Sequence, residues 1–198
     1  MALQGDVREH VAVLEQVGAA AVQVRRPMDL EGLDALVVPG GESTTMSMLL
    51  QSSGLLPALE KLVADGFPML GTCAGMILLS SKILDGRPDQ VCLGAIDLVV
   101  RRNAFGRQVE SFESELTVRG LDGGPMHAVF IRAPVVEDAG PDVEVLASVA
   151  LGHGAGDESM RPVVCRQGSV IVAAFHPELA GDRRLHEMLL HHVELEGD

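Results

Sequence analysis

Phe67-Pro68-Met69-Leu70-Gly71-Thr72-Cys73-Ala74-Gly75-Met76-Ile77-Leu78-Leu79 joins two apolar runs through a turn of small residues. The first run has the length of a buried strand, and the second continues long enough to be a helix. The spacing predicts a strand over 67–70, a helix over 75–84, and Cys73 at the crest between them. A Gly-x-Cys-x-Gly in that context has the form of a nucleophile elbow. The tight turn lifts the middle side chain off the sheet, its small neighbours leave room, and the amide of Ala74 can face a developing oxyanion. The helix start also favours a thiolate at Cys73. On these residues alone Cys73 is either an activated nucleophile or a buried structural cysteine in a Gly-rich turn. Cys92 and Cys165 sit among apolar neighbours with no such turn, which reads as packing.

Upstream of the elbow, strand and helix patterns alternate. Val7, Val11, Leu14 and Val17 follow helical spacing behind Asp6 as a candidate cap, with Glu9 at the capping-box position and Gly18 as a stop. Short apolar strands are predicted over 20–24 and 35–38, and helices over 44–51 and 56–65. Such alternation favours a mainly parallel sheet with helices on both faces. Beyond Gly94 the texture changes to short strands, over 95–100, 115–118, 128–131, 143–148, 162–166 and 170–175. Their turn signals favour antiparallel pairing. A helix over 183–195 closes the chain. The fold class expected is therefore α/β: one three-layer domain over residues 1–198, with a mostly parallel central sheet, an antiparallel extension, and the active site at strand C-terminal ends.

A cysteine nucleophile needs a base, and His176 closes the apolar strand 170–175 just before Pro177. Glu178, two residues on, can turn back to hold the imidazole, which makes a nucleophile, base and orienter set available. Spacing alone leaves open an ordinary strand-end histidine satisfied by solvent or backbone. His10, His186, His191 and His192 fall on predicted helices, and His127 and His153 in or near turns. Pro39-Gly40-Gly41-Glu42-Ser43-Thr44-Thr45 combines glycines that permit close backbone approach with Ser and Thr that can cap a helix. By itself it reads as a capped strand-to-helix turn or as amide donors facing a carbonyl or anion. Gly152, Gly154 and Gly156 read as a surface loop, because no Lys-Ser/Thr follows as a phosphate loop requires.

Composition narrows the function. The 198 residues carry 15 Lys and Arg against 28 Asp and Glu, a formal net charge of −13, which repels nucleic acid and anionic membranes. No apolar run reaches the roughly 20 residues of a membrane helix, and three scattered cysteines make no disulfide framework. A soluble, cytoplasmic protein is expected.

Several motifs together, LQGDVREH at 3–10, PGGESTTM at 39–46, GTCAGMILL at 71–79, RRNAFGRQVESFE at 101–113, VFIRAP at 129–134 and FHPEL at 175–179, resemble one family. It is the glutaminase subunit of pyridoxal 5′-phosphate synthase, a branch of the class I (triad) glutamine amidotransferases with a flavodoxin-like fold. The resemblance implies hydrolysis of L-glutamine to L-glutamate and ammonia, with Cys73 as nucleophile, His176 as base and Glu178 orienting it. It implies an oxyanion hole from the Gly41 and Ala74 amides. Glutamine contacts are implied at Gly41, Glu42, Ser43, Arg102, Ile131 and Arg132. It further implies a (β/α)8-barrel synthase partner that receives the ammonia, with no cofactor and no metal in this subunit. Relatives carry a few more residues ahead of LQG, so a first strand is expected to be truncated here or to begin upstream. Rival readings are another glutaminase subunit on this fold, a catalytically silent partner protein, and a stand-alone γ-glutamyl hydrolase.

Overall fold

The apolar runs on either side of Cys73 pack as predicted, and the sheet is built around them. This computed structural model describes residues 1–102, 111–150 and 160–196. The elements in chain order are α1 (Val7–Gln16), a 3-10 turn (Pro27–Leu30), β1 (Leu36–Val38), α2 (Ser43–Ser53), α3 (Leu56–Ala64), β2 (Met69–Thr72) and α4 (Ala74–Leu79). They continue with β3 (Ser80–Ile83), β4 (Ile96–Arg101), β5 (Ser111–Leu116), β6 (Met126–Ile131), β7 (Val135–Ala139), β8 (Glu144–Ala150), β9 (Met160–Gln167), β10 (Val170–Ala173) and α5 (Arg184–Glu196). Residues 103–110 and the Gly152, Gly154, Gly156 stretch lie outside the described residues.

The central sheet has the order β1-β2-β10-β9-β8. Its β1-β2-β10 half is parallel, with Val38 and Val172 both opposite Gly71, and β9 and β8 add on antiparallel. The sheet is thus mixed, a parallel half carrying the expected antiparallel extension. β3-β4-β7 and β5-β6 form two smaller sheets.

Successive strand residues point to opposite faces, and β2 shows what covers each. Thr72 meets His10 of α1, which in turn meets His186 of α5. A side chain at Gly71 would meet Gly75 and Leu79 of α4. Helices α1 and α5 therefore lie on one face and α4 on the other, giving the three layers. Gly75 is obligatory there, since any Cβ would collide with the Val38 carbonyl of β1. β2 and β10 are buried along their whole length, and Met69, Leu70, Ile171, Val172 and Phe175 centre the core.

Three expectations change. The helix after Cys73 ends at Leu79, not 84. The Ser80 hydroxyl donates to the Ile77 carbonyl, and the chain leaves extended to pair with β4 as β3. Residues 20–24 form no ladder. Met1–Leu3 lie between them and β1 and give one backbone bond to each neighbour, from the Met1 amine to the Val37 carbonyl and from Ala2 N–H to the Val24 carbonyl at 2.7 Å. Asp6 makes no side-chain cap on α1, because its carboxylate is engaged elsewhere.

Candidate active site

Three parallel strands end at the same edge, and each hands its chain to a candidate residue. β1 runs into Gly40 and Gly41, β2 into Cys73, and β10 into His176. Cys73 N–H donates to the Ala173 carbonyl at 2.8 Å, and His176 N–H to the Val129 carbonyl at 3.0 Å, fixing both ends. The β6 end supplies Ile131 and Arg132. Gly41, Cys73, His176, Ile131 and Arg132, with Gln4, Asp6, Glu42, Ser43, Ala74, Ile77, Arg102 and Leu179, line one cavity of about 310 Å³.

Cys73 sits at φ 47°, ψ −103°. Among the described residues, Cys73 and Arg132, at φ 43°, are the non-glycine residues with positive φ. Both line this cavity, where backbone strain is commonly concentrated. Cys73 is buried, and its Sγ lies 3.8 Å from the Ile131 carbonyl oxygen. Gly40 is required beneath His176, since a Cβ there would strike the imidazole.

His176 Nδ1 donates to Glu178 Oε1 at 2.9 Å. The turn begun by Pro177 brings that carboxylate back, with Leu179 N–H closing on the His176 carbonyl at 3.3 Å. Burial opposes a charge on His176. Hydrogen bonds to Cys73 and Glu178, together with the charges of both, outweigh it and lift the pKa to about 10. Burial likewise opposes the Glu178 carboxylate, but its bonds to His10 and His176 hold the pKa down at about 2. The candidate base thus lies between the Cys73 sulfur and the Glu178 carboxylate, both of which favour its protonated form. Cys92 and Cys165 line no part of the cavity. Burial raises both thiols, Cys165 to about 12, so neither is poised to react.

On the opposite wall Glu42, not the following Ser or Thr, caps α2. Its carboxylate accepts from Thr44 N–H at 3.1 Å, Thr45 N–H at 2.7 Å and the Thr45 hydroxyl at 2.8 Å. Arg102 reaches the Thr44 hydroxyl at 2.7 Å and the Asp85 carbonyl at 3.3 Å. Its Nε is buried with no protein partner. Arg102, Arg132 and the capped loop thus share with Cys73 the lining of a space large enough for a small amino acid.

Sequence reasoning missed Gln4, Asp6, His10 and Leu179. Gln4 Oε1 accepts from Glu42 N–H at 2.8 Å, and Asp6 N–H donates to the Gly40 carbonyl at 3.2 Å. The Asp6 carboxylate lies 3.2 Å from His176 Nδ1, and that contact is where the expected cap went. Burial raises the Asp6 pKa; His176 opposes the rise, while Glu178 and Glu9 add to it. A polar residue interrupting an apolar helix stripe was the available signal for His10.

The SNO glutamine amidotransferase family matches residues 1–195. The pyridoxal 5′-phosphate synthase subunit PdxT of Rhodococcus opacus (strain B4) is 60% identical over 190 residues, covering 96% of this chain and 93% of that protein. The protein of the same name from Frankia alni is 55% identical over 197 residues, covering 100% and 94%. A crystal structure of a glutamine amidotransferase superposes with a TM-score of 0.86 at 48% identity, covering 97% of this chain and 96% of that one. The chain belongs to the SNO glutamine amidotransferase family.

Proposed function

We propose that this chain, acting as one glutamine amidotransferase domain, hydrolyses L-glutamine and passes the ammonia to a (β/α)8-barrel pyridoxal 5′-phosphate synthase subunit. The observation that carries the reading is convergence. Cys73, His176, Gly41, Ala74, Glu42, Ser43, Arg102, Ile131 and Arg132 all line the same cavity of about 310 Å³, with Glu178 bonded behind His176. In this mechanism the Cys73 thiol passes its proton to His176 as Sγ attacks the carboxamide carbon, and the Gly41 and Ala74 amides hold the oxyanion. The C–N bond breaks as His176 gives its proton to the departing ammonia, leaving a γ-glutamyl thioester. Water then attacks that thioester with His176 as base, releasing glutamate and restoring the thiol. Glu178 keeps the imidazole oriented throughout. Arg102 and Arg132 take the α-carboxylate, and Gly41, Glu42, Ser43 and Ile131 shape the rest of the glutamine site.

The partner half of the reading draws on the names of the relatives at 55–60% identity. The test is glutamate release by the purified chain with and without a synthase barrel, using Cys73→Ala as the blank. Release that the barrel stimulates is expected. No release under either condition, from a folded chain, would remove the activity and leave a silent partner protein.

A further inference from the structure

Behind Glu178 lies a chain of two buried histidines that the reaction scheme above does not use. Both the His10 and His186 side chains are shut off from solvent, on α1 and α5 respectively. His10 Nδ1 lies 2.9 Å from His186 Nε2. His10 Nε2 lies 3.1 Å from the Thr72 hydroxyl oxygen, on the residue just before Cys73, and 3.4 Å from Glu178 Oε1. The Glu178 side chain has no solvent exposure, and its Oε2 has no protein partner. A buried carboxylate held by a single donor is costly. His10 is positioned to supply the second.

We propose that His10 is a positioning residue for the triad: a neutral imidazole whose Nε2–H is directed at Glu178 and Thr72, and whose Nδ1 accepts from His186. The inference rests on the proposed triad and extends it by one layer. A carboxylate can only accept, so the proton facing it belongs on His10 Nε2. The 2.9 Å contact with His186 then carries one proton, given by His186 Nε2 to His10 Nδ1. That leaves His186 Nδ1 as a bare acceptor, and this is the His186 atom without a partner. The reverse arrangement would bury an orphaned N–H there, which folded proteins avoid more strongly than an orphaned acceptor. Burial, helped by any charge on His10, lowers the His186 pKa to about 4, in keeping with a neutral ring. α1, β2 and α5 are thereby tied to the carboxylate that aims the base.

Two measurements on the intact chain, assayed with its synthase partner, decide the matter. Nitrogen-15 NMR of the imidazoles at neutral pH is expected to show His10 protonated at Nε2 and bare at Nδ1. A bare Nε2, or a doubly protonated His10, overturns the proposal. His10→Leu removes the donor at similar volume and is expected to lower kcat by about tenfold or more with KM within about twofold. His10→Gln, whose amide can still reach Glu178, is expected to keep at least about a third of kcat. Wild-type kcat in His10→Leu, equal losses in the two variants, or a KM that rises in step with the loss each overturn it. If His10→Leu does not fold, the tautomer and the Gln variant decide alone. Activity persisting in Cys73→Ala would instead indict the triad itself, so the two failures are distinguishable.

Discussion

Two hollows among the described residues make a contrast, and the smaller one is the proposed active site. The groove of about 550 Å³ along the outer edge of β1 is lined by apolar side chains such as Val11, Leu14, Val17, Leu36 and Leu189. The cavity at the ends of β1, β2 and β10 has about 310 Å³ and gathers a thiol, an imidazole, two guanidinium groups and two carboxylates. Volume in the first case records imperfect filling beside a strand edge. In the second it records convergent polar groups on rigid strand ends, which is what distinguishes a site. His10 lines the groove on one side and reaches Thr72 and Glu178, behind the cavity, on the other.

The largest effect that separates the two regions is expected from Cys73→Ala. The change removes one sulfur from a buried position and leaves the strained turn in place, so melting should shift little. Glutaminase turnover should fall by at least about a thousandfold, because no other nucleophile is in place. Glutamate release and a thermal melt on the same preparation check both halves. Substantial residual turnover would mean that the strained thiol is not the nucleophile.

The Cys73 and His176 ends of this cavity were legible from short, local signals, whereas Arg102, Ile131 and Arg132 entered only through the family resemblance. Gly71 to Gly75 encodes a strand-to-helix turn, and His176-Pro177-Glu178 places a carboxylate two residues beyond a strand-end imidazole. The Cys73 and His176 ends come together because β2 and β10 are parallel neighbours, as the apolar runs before each residue suggested. Asp6 and His10 were not legible, because their partners (His176 for the one, Thr72, Glu178 and His186 for the other) are remote in sequence and helix rules give each a blander local role. Helical spacing puts the α1 stripe through Val7, Val11, Leu14 and Val17. The fully buried positions are His10 and Val13, so the true face is rotated to bring the imidazole inward. Likewise β3 was absorbed into the preceding helix, since nothing local in Ser80 to Ile83 announces that β4 will pair with it.

A smaller effect is expected from acid. His186 is held neutral with a folded pKa of about 4 against an ordinary 6.5. Between those values the unfolded chain binds more protons than the folded one, so stability falls as pH drops through that window. Glu178, held at about 2 against 4.5, adds a loss in the same direction below pH 4.5. His176 acts oppositely: its stabilisation is complete below 6.5 and is lost as pH rises toward about 10. Denaturant titrations at pH 6.5 and 4.5 should therefore differ by on the order of 2 kcal/mol, most of it from His186. Equal stability at the two values would mean that His186 is already charged in the fold, and that the wall behind Glu178 is wetter than its burial indicates.

The smallest effect is expected in the groove, and it tests whether the two hollows are energetically separate. Leu14 is partly buried on α1 and packs against the core from the groove side. Leu14→Ala removes apolar area from a region that is already underfilled, so the loss should be about 1–2 kcal/mol, below that of a tightly packed core leucine. It touches neither Glu178 nor Thr72, and kcat and KM should stay at wild-type values. One helical turn separates Leu14 from His10, however, and α1 carries Asp6 just ahead of its first turn. If Leu14→Ala lowered kcat without changing KM, the helix would be transmitting groove packing to the carboxylate through His10. The groove would then be part of the machinery that aims His176 rather than a seam beside it.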